Sequence, residues 1–376
     1  MYLYMGHMGY EQVKPYEDWF WEKNRIELKR AYVSNVNTGA NALEFDDGSS
    51  MNYDELLIAS GSKPNKFGWK GQDLKGVQGL YSLQDLELME ENTAGVSQAV
   101  VVGGGLIGIE MAEMLRSRGI EVAMLVREQS FWNIVLPKQE SELLNKHIQE
   151  HHVDLKLSTE LEEVLSDDDG NVRAVRTKSG EEINCQFVGL TVGVSPNIAF
   201  LEDAGIEMEK GILVDEELRT SVSNIYALGD CAQLRNPKDR RRPIEAVWYT
   251  GKMMGETVAA TICGTPTTYN PGIWFNSAKF FDIEYQTYGT VPPQLPADQD
   301  SFFWDGGDGK RCLRIVFDKE SKAVKGFNAF GLRLRHEVCE AWIRNAVGLE
   351  EVLQHLGKAN FDPEFYKKFE KEIELN

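Results

Sequence analysis

The chain has 376 residues, 42% of them hydrophobic, with 59 acidic and 40 basic side chains that give a formal net charge of −19. That length calls for two or three domains with sizeable cores. The acidic balance excludes nucleic acid and anionic membrane surfaces as partners, since both need a basic face. The five cysteines, Cys185, Cys231, Cys263, Cys312 and Cys339, form no C-x-x-C pair. Scattered and odd in number, they predict a reducing compartment, the cytoplasm. The opening residues lack the basic start and apolar core of a secretory leader. No apolar run is long enough to span a bilayer.

In chain order, residues 1 to about 60 mix aromatic side chains with short alternating stretches. Ala42–Phe45 and Glu55–Ala59 read as strands, with the Asp46-Asp47-Gly48 turn signal between them. Residues 65–95 are polar and read as an irregular crossing segment. Ala99–Val102 is a continuous apolar run, the mark of a buried parallel strand. Beyond it, Ile107, Met111, Met114 and Leu115 recur at helical spacing up to Gly119. Glu121–Val126 reads as a second buried strand. Residues 153–194 alternate as strands, Ile225–Leu228 is another apolar strand, and 250–262 reads as a helix. The aromatic stretches 274–288, 302–304, 313–317 and 323–330 predict strands, and the text from His336 onward is helical.

Gly103, Gly105 and Gly108 follow the 99–102 strand in a Gly-x-Gly-x-x-Gly pattern and open the next helix. Each glycine has a physical task in a dinucleotide loop: a tight turn, close approach of backbone to a pyrophosphate, and close packing of helix on strand. The helix N-terminus then turns its amides and dipole toward the phosphates. The second strand ends in Val126-Arg127-Glu128. An acid there suits the ribose hydroxyls of NAD, and a base suits the 2′-phosphate of NADP. Both are present, and Arg127 tilts the reading toward NADPH. Gly229-Asp230 ends the 225–228 strand, where an acid is placed to accept from a sugar or ribityl hydroxyl. Gly251, Gly255 and Ala259 leave one face of the following helix bare.

These segments resemble, in their order, the FAD-dependent pyridine nucleotide-disulfide oxidoreductase superfamily. Ala59-Ser60-Gly61-Ser62-x-Pro64 is similar to its ATG segment, and Val101–Glu110 to its NAD(P)H loop. Gly193-Val194-Ser195-Pro196-Asn197 is similar to its GxxPN segment, and Ile225–Asp230 to its second FAD motif. The C-terminal text from Trp274-Phe275-Asn276-Ser277 resembles the ferredoxin, rubredoxin and nitrite reductase-like branch. The resemblance implies an α/β chain with two Rossmann-like, doubly wound, three-layer dinucleotide-binding domains and a C-terminal α+β domain. It implies an oxidoreductase that passes hydride from NAD(P)H to FAD and electrons to an acceptor: a ferredoxin- or rubredoxin-like protein, oxygen or a small molecule. It assigns Ala59, Ser60, Gly61, Gly229 and Asp230 to FAD. Gly103, Gly105, Leu106, Ile107, Gly108, Glu110, Arg127 and Gly193 go to NAD(P)H. Glu110 is the candidate for an orienting role near nicotinamide and flavin, and the C-terminal domain is the expected face of a homodimer.

The sequence departs from the family at its front. The glycines before residue 58 are Gly6, Gly9, Gly39 and Gly48, and they form no Gly-x-Gly-x-x-Gly loop. A member with its own FAD unit carries roughly 70 more residues ahead of Met1, so a shortened sequence is expected, and the FAD domain is expected to be incomplete. A nicotinamide-nucleotide-binding sensor or subunit without flavin turnover is the alternative. The expected domains are 1–95 with 216–265 for FAD, 96–215 for NAD(P)H, and 270–376 at the C-terminus. Cys231 reads as a buried inert thiol, His336-Glu337 as helix surface, and Arg240-Arg241-Arg242 as a solvated loop that could also attract an acidic carrier. No metal site is read from the sequence.

Overall fold

The structure is a computed structural model that describes residues 1–238, 241–361, 370 and 372–373. The chain divides into two compact units, 65–193 with 272–376 (and residue 1), and 2–64 with 194–271.

The first unit is built on a parallel sheet of five strands. Their order is Val77–Gln78, Phe187–Leu190, Gln98–Val102, Glu121–Leu125, Val153–Lys156. Val100 and Val101 are fully enclosed, as the unbroken apolar run requires of a strand covered on both faces. Helices Leu106–Ser117 and Lys138–Glu150 connect the successive parallel strands. A three-stranded antiparallel sheet, Leu161–Ser166, Val172–Thr177 and Glu182–Asn184, shares the core of Val100, Leu125, Val164, Val175 and Val188.

The C-terminal part of the same unit is a five-stranded antiparallel sheet. Its order is Phe275–Phe280, Ile283–Gly289, Val324–Phe330, Cys312–Asp318, Gln299–Asp305. Helices His336–Arg344 and Leu349–Gln354 cover it through a core that includes Leu313, Ile315, Phe327, Cys339, Trp342 and Val352.

Helix Lys138–Glu150 docks on this sheet. Glu140 is completely buried and Arg314 nearly so. Arg314 donates from Nε to Glu140 Oε1 (2.6 Å) and from Nη2 to Oε2 (2.9 Å). It also donates to Ser301 Oγ and Gln139 Oε1, both at 2.7 Å. Phe131 and Trp132 meet Phe280 and Tyr285 edge-on or tilted beside this pair.

In the second unit, Leu56–Ile58 pairs in parallel with Ile225–Ala227, and Ile212–Val214 with Ala232–Leu234. Ser62–Pro64 pairs antiparallel with Val194–Pro196. Val33–Asn37, Ala42–Phe45 and Ser50–Asn52 form an antiparallel meander. Helix Trp248–Ile262 completes the core with Met254 and Val258 against Ile58, Ile225 and Ala227. The α/β class and the Rossmann-like sheet are as the sequence predicts.

Several expectations change. The Asp46-Gly48 turn joins Ala42–Phe45 to Ser50–Asn52, and the 56–58 strand instead finds a distant parallel partner. Residues 65–95 are not irregular. They hold the sheet's edge strand Val77–Gln78 and a helix, Leu83–Asn92, whose Ser82 and Asp85 cap one another. That pairing with Phe187–Leu190 ties the segment to the first unit. The passages between the two units lie after Pro64 and Gly193. The C-terminal antiparallel sheet lies in the first unit, and Lys279 of its edge strand donates to Glu113 of helix Leu106–Ser117 at 3.0 Å. The stretch 274–288 is two strands with a turn at Phe281 and Asp282.

The Glu140–Arg314 pair generates a stability prediction. Glu140→Leu alone strands a buried guanidinium and lowers the unfolding free energy by about 3–5 kcal/mol. Adding Arg314→Met in the same chain recovers most of that loss. Thermal and denaturant unfolding of the three proteins checks it, and equal loss in the single and double variants refutes it.

Candidate functional site

The loop after Gln98–Val102 is shaped by how near its backbone comes to its neighbours. Gly103 has φ +123°, and a Cβ there would lie 2.4 Å from the Thr191 carbonyl oxygen. A Cβ on Gly108 would lie 2.5 Å from the Gly103 carbonyl oxygen and 2.8 Å from Thr191 Oγ1. Thr191 holds this junction by donating from both N–H and Oγ1 to the Val102 carbonyl at 2.9 Å. Side chains of any size at 103 or 108 would part helix from strand.

Gly105 differs. Its backbone is extended (φ −111°, ψ −177°), a conformation any residue adopts, and a Cβ would meet nothing within 4 Å. Neither conformation nor packing calls for glycine there. The space in front of it is what a side chain would take from an approaching group. Gly105 also caps helix Leu106–Ser117, with no side chain on the helix end. The amides of Leu106, Ile107 and Gly108 precede the first helical bond, from Ile109 N–H to the Gly105 carbonyl (3.2 Å), and so point out of the helix end. Open space, outward amides and the positive end of a helix dipole fit a dinucleotide pyrophosphate.

The other predicted nucleotide residues of this unit have distinct surroundings. Glu110 lies in the first turns of the same helix, where burial pushes its carboxyl above the usual range and neighbouring Glu113 adds to the rise. Arg127 is largely exposed, its Nε donating to Glu128 Oε1 at 2.7 Å, and that bond raises its already high pKa. The Arg127 charge is therefore outward and the Glu128 carboxylate is engaged with it. Gly193 has φ +91° and accepts from Asn65 N–H at 3.0 Å. Thr191 was missed by the sequence reading. Its signal is a small hydroxyl residue placed just after a buried apolar strand, the pattern Phe187–Leu190 then Thr191.

In the second unit, Ala59-Ser60-Gly61 and Gly229-Asp230 follow the carboxyl ends of adjacent parallel strands, where open α/β sheets bind nucleotides. Gly61 and Gly229 both have positive φ, +66° and +70°. Ser60 Oγ donates to the Asn197 carbonyl (2.8 Å), and Asn197 N–H donates to the Gly61 carbonyl (2.9 Å). The turn Gly229–Cys231 carries Asp230 at the strand end. Gly251 approaches Gly229 (a Cβ would stand 3.8 Å from its Cα), and nothing lies within 4 Å of a Cβ on Gly255. These open strand ends and the bare helix face fit the ribityl and ring portion of a flavin. The sequence holds a single Gly-x-Gly-x-x-Gly loop, the one at Gly103–Gly108.

Other candidates have quieter surroundings. Cys231 is fully buried, and its Sγ donates to the Leu228 carbonyl at 3.2 Å. His336 pairs with Glu340 at 3.5 Å and lies against Phe275, so the adjacent Glu337 is not its partner. Within the arginine run, Arg240 lies outside the described residues. Arg241 forms a two-point pair with Glu245 at 2.5 Å.

The chain is similar to known proteins. A family profile described as "Pyridine nucleotide-disulphide oxidoreductase" matches residues 11–255. The chain is similar to the ferredoxin–NAD(P)+ reductase fdr of a Sphingomonas species. The two are 30% identical over 324 residues, which cover 84% of this chain and 75% of that protein. It is 26% identical to a rubredoxin–NAD+ reductase of Pseudomonas putida over 258 residues, 68% of this chain and 67% of the other. Among solved structures, the ferredoxin reductase for the CYP199A2 system of Rhodopseudomonas palustris shares the fold. Its TM-score is 0.78 at 21% identity, over 87% of this chain and 80% of that one. No helix among the described residues is long and apolar enough to cross a membrane.

The glycines separate by role. Gly108→Ala pushes Cβ into backbone and costs about 1–3 kcal/mol of stability. Gly105→Val leaves the thermal midpoint almost unmoved while NAD(P)H binding, followed by calorimetry, is lost. A Gly105→Val protein that binds the coenzyme normally refutes the assignment.

Glu110 yields a pH prediction. Its folded-state pKa is raised, so the folded protein holds the proton more tightly than the unfolded chain. Its contribution to stability is intact at acid pH and is lost as pH rises through the folded pKa. Glu110→Gln should therefore match the parent at low pH and exceed it above that transition. Parallel stability curves for the two proteins would contradict this.

Proposed function

Because the chain belongs to the pyridine nucleotide-disulphide oxidoreductase family, we propose that it takes electrons from NADPH in preference to NADH and delivers them to a ferredoxin- or rubredoxin-like protein. The chain is an NAD(P)H-dependent, FAD-linked oxidoreductase. When bound, FAD would supply the hydride-accepting and electron-releasing chemistry.

The chain's own residues bind, orient and exclude water. Gly103, Gly105 and Gly108, with the amides of Leu106 and Ile107, hold the coenzyme pyrophosphate. Arg127 offers an exposed, always-charged guanidinium to a 2′-phosphate, which supports NADPH. Glu110 and Gly193 border the nicotinamide end and set its orientation. Ala59, Ser60, Gly61, Gly229 and Asp230 hold the flavin's ribityl side, with Asp230 accepting from a hydroxyl. The acceptor class is supported by the names of the Sphingomonas and Pseudomonas relatives, both reductases of small redox proteins. The five thiols are unpaired, in keeping with the cytoplasm. A homodimer through the C-terminal domain belongs to this reading by family resemblance, and light scattering tests it.

The observation that carries the proposal is Gly105, with open space before it and the outward amides of a helix end around it. The test is the visible spectrum of the purified protein supplied with FAD. A bound-flavin spectrum should bleach under anaerobic NADPH, more slowly under NADH, and recover on addition of an oxidised ferredoxin or rubredoxin. A protein that stays colourless with FAD present, yet still binds NAD(P)H, favours the alternative of a nucleotide-binding subunit without flavin turnover.

A further inference from the structure

Far along helix Lys138–Glu150, after the Glu140 pair, the chain gathers a second set of polar groups that the hydride chemistry does not use. His147 and His151 stand four residues apart, the first on the last turn and the second at the C-cap. Both imidazoles lean toward Asp282, which lies in the turn between strands Phe275–Phe280 and Ile283–Gly289. His147 Nε2 lies 2.7 Å and His151 Nε2 3.0 Å from the same carboxylate oxygen, Oδ1. One ligating atom from each of the three residues falls within 4.8 Å of the others.

The state of His147 is the telling feature. The ring is 1% exposed. Nε2 faces the Asp282 carboxylate at 2.7 Å, while Nδ1 has no hydrogen-bond partner among the described residues. A buried imidazole with one ring nitrogen unpartnered departs from the rule that buried polar groups find hydrogen bonds. The turn is also unusual. Phe281 sits in the left-handed region at φ +54° and stacks flat on His151, with ring centroids 4.2 Å apart and planes 7° apart. That stacking fixes the His151 ring beside the carboxylate.

We propose that His147, His151 and Asp282 form a binding site for a divalent transition-metal ion, Zn²⁺ by preference, which clips the end of this helix to the Phe281–Asp282 turn. Two histidines at i and i+4 present their nitrogens on one helix face, the spacing that suits zinc. Two nitrogens and one carboxylate oxygen form a donor set for Zn²⁺ and its neighbours in the transition series, and a poor one for Mg²⁺ or Ca²⁺, which want oxygen throughout. Bonds of about 2.0–2.2 Å to each ligand would draw on donor atoms that already lie within 4.8 Å of one another. His151 and Asp282 are partly exposed, so the fourth position opens to water.

Lys310 is the competing group. Its Nζ pairs with the other oxygen, Asp282 Oδ2, at 2.5 Å. Its positive charge opposes a cation and leaves Oδ1 as the ligating atom. Glu150 lies nearby, with one carboxylate oxygen 3.9 Å from His147 Nδ1, and returns negative charge to the site.

The full chain is dialysed against chelator and titrated with Zn²⁺ by calorimetry, in a Cys263→Ser background that removes the one exposed thiol. The expected result is uptake of a single Zn²⁺ that excess Mg²⁺ does not displace, with a higher thermal midpoint on binding. His147 is too enclosed to change safely, so the exposed ligands carry the test. His151→Gln and Asp282→Asn should each weaken Zn²⁺ binding by at least about tenfold. Lys310→Met should leave it intact or tighten it. No Zn²⁺ uptake by the parent chain, or uptake unaltered by both ligand substitutions, overturns the proposal.

Discussion

Everything in the nucleotide-facing part of this protein depends on one close approach of backbone to backbone. Gly103, Gly108 and Thr191 meet so tightly that a single methyl group at either glycine would collide with a carbonyl oxygen. The approach brings the N-terminus of helix Leu106–Ser117 to the carboxyl end of its own strand. The helix can then be anchored by Ile109, Met111, Met114 and Leu115, all fully buried. Only because that anchoring is rigid can Gly105 be left uncovered, with outward amides around it. The loop is thus two structural glycines that hold a third, functional one in place.

A second constraint acts further along the same unit. Helix Lys138–Glu150 bridges the parallel sheet and the antiparallel sheet, and it does so with polar groups. Glu140 meets Arg314 near its start, and His147 and His151 meet Asp282 at its end. Apolar residues join in, with Leu144 and Ile148 fully buried and aromatic contacts gathered around Phe280. Buried ion pairs contribute little net stability relative to apolar packing, but they penalise every arrangement that leaves a partner unpaired. The bridge therefore fixes the register of helix against sheet more than it strengthens the join. This is a reason for polar residues to occupy positions that a simple core would give to leucine.

What could be read from the sequence follows from where each element finds its partners. The strand, glycine loop, helix and strand over 98–125 were legible because their signals are local: an apolar run, three spaced glycines, then apolar residues at helical period. Gly229-Asp230 was legible for the same reason. Helix Lys138–Glu150 was not, since Glu140, Ser141 and His147 are buried beside Leu144 and Ile148 and blur the apolar stripe. The burial of Glu140 and His147 is made tolerable by Arg314 and Asp282, each more than a hundred positions away in sequence. The turn at Phe281 was hidden because an aromatic occupies a left-handed position where glycine or asparagine would have announced it. The strand Leu56–Ile58 was seen, but its partner was not, because a parallel pairing with Ile225–Ala227 leaves no turn between the two.

The thiols bear on how electrons leave the nicotinamide. The family's name includes a disulphide, yet all five cysteines here are unpaired and only Cys263 is exposed. Burial pushes the Cys185 thiol up to about 12 and raises those of Cys312 and Cys339 as well. A thiol must ionise to attack or exchange, and these three cannot do so at neutral pH. Cys231 lies beside the strand-end turn where the flavin reading places Asp230, but its Sγ is turned inward to the Leu228 carbonyl. Cys185, Cys231, Cys312 and Cys339 are thus enclosed thiols. The features that are open and outward-facing are instead backbone ones, at Gly105 and at the strand ends before Gly61 and Asp230. Such surfaces suit flat, phosphate-bearing cofactors that bring their own redox chemistry. The share of the reaction that these residues take is one of placement, set by glycines and helix ends.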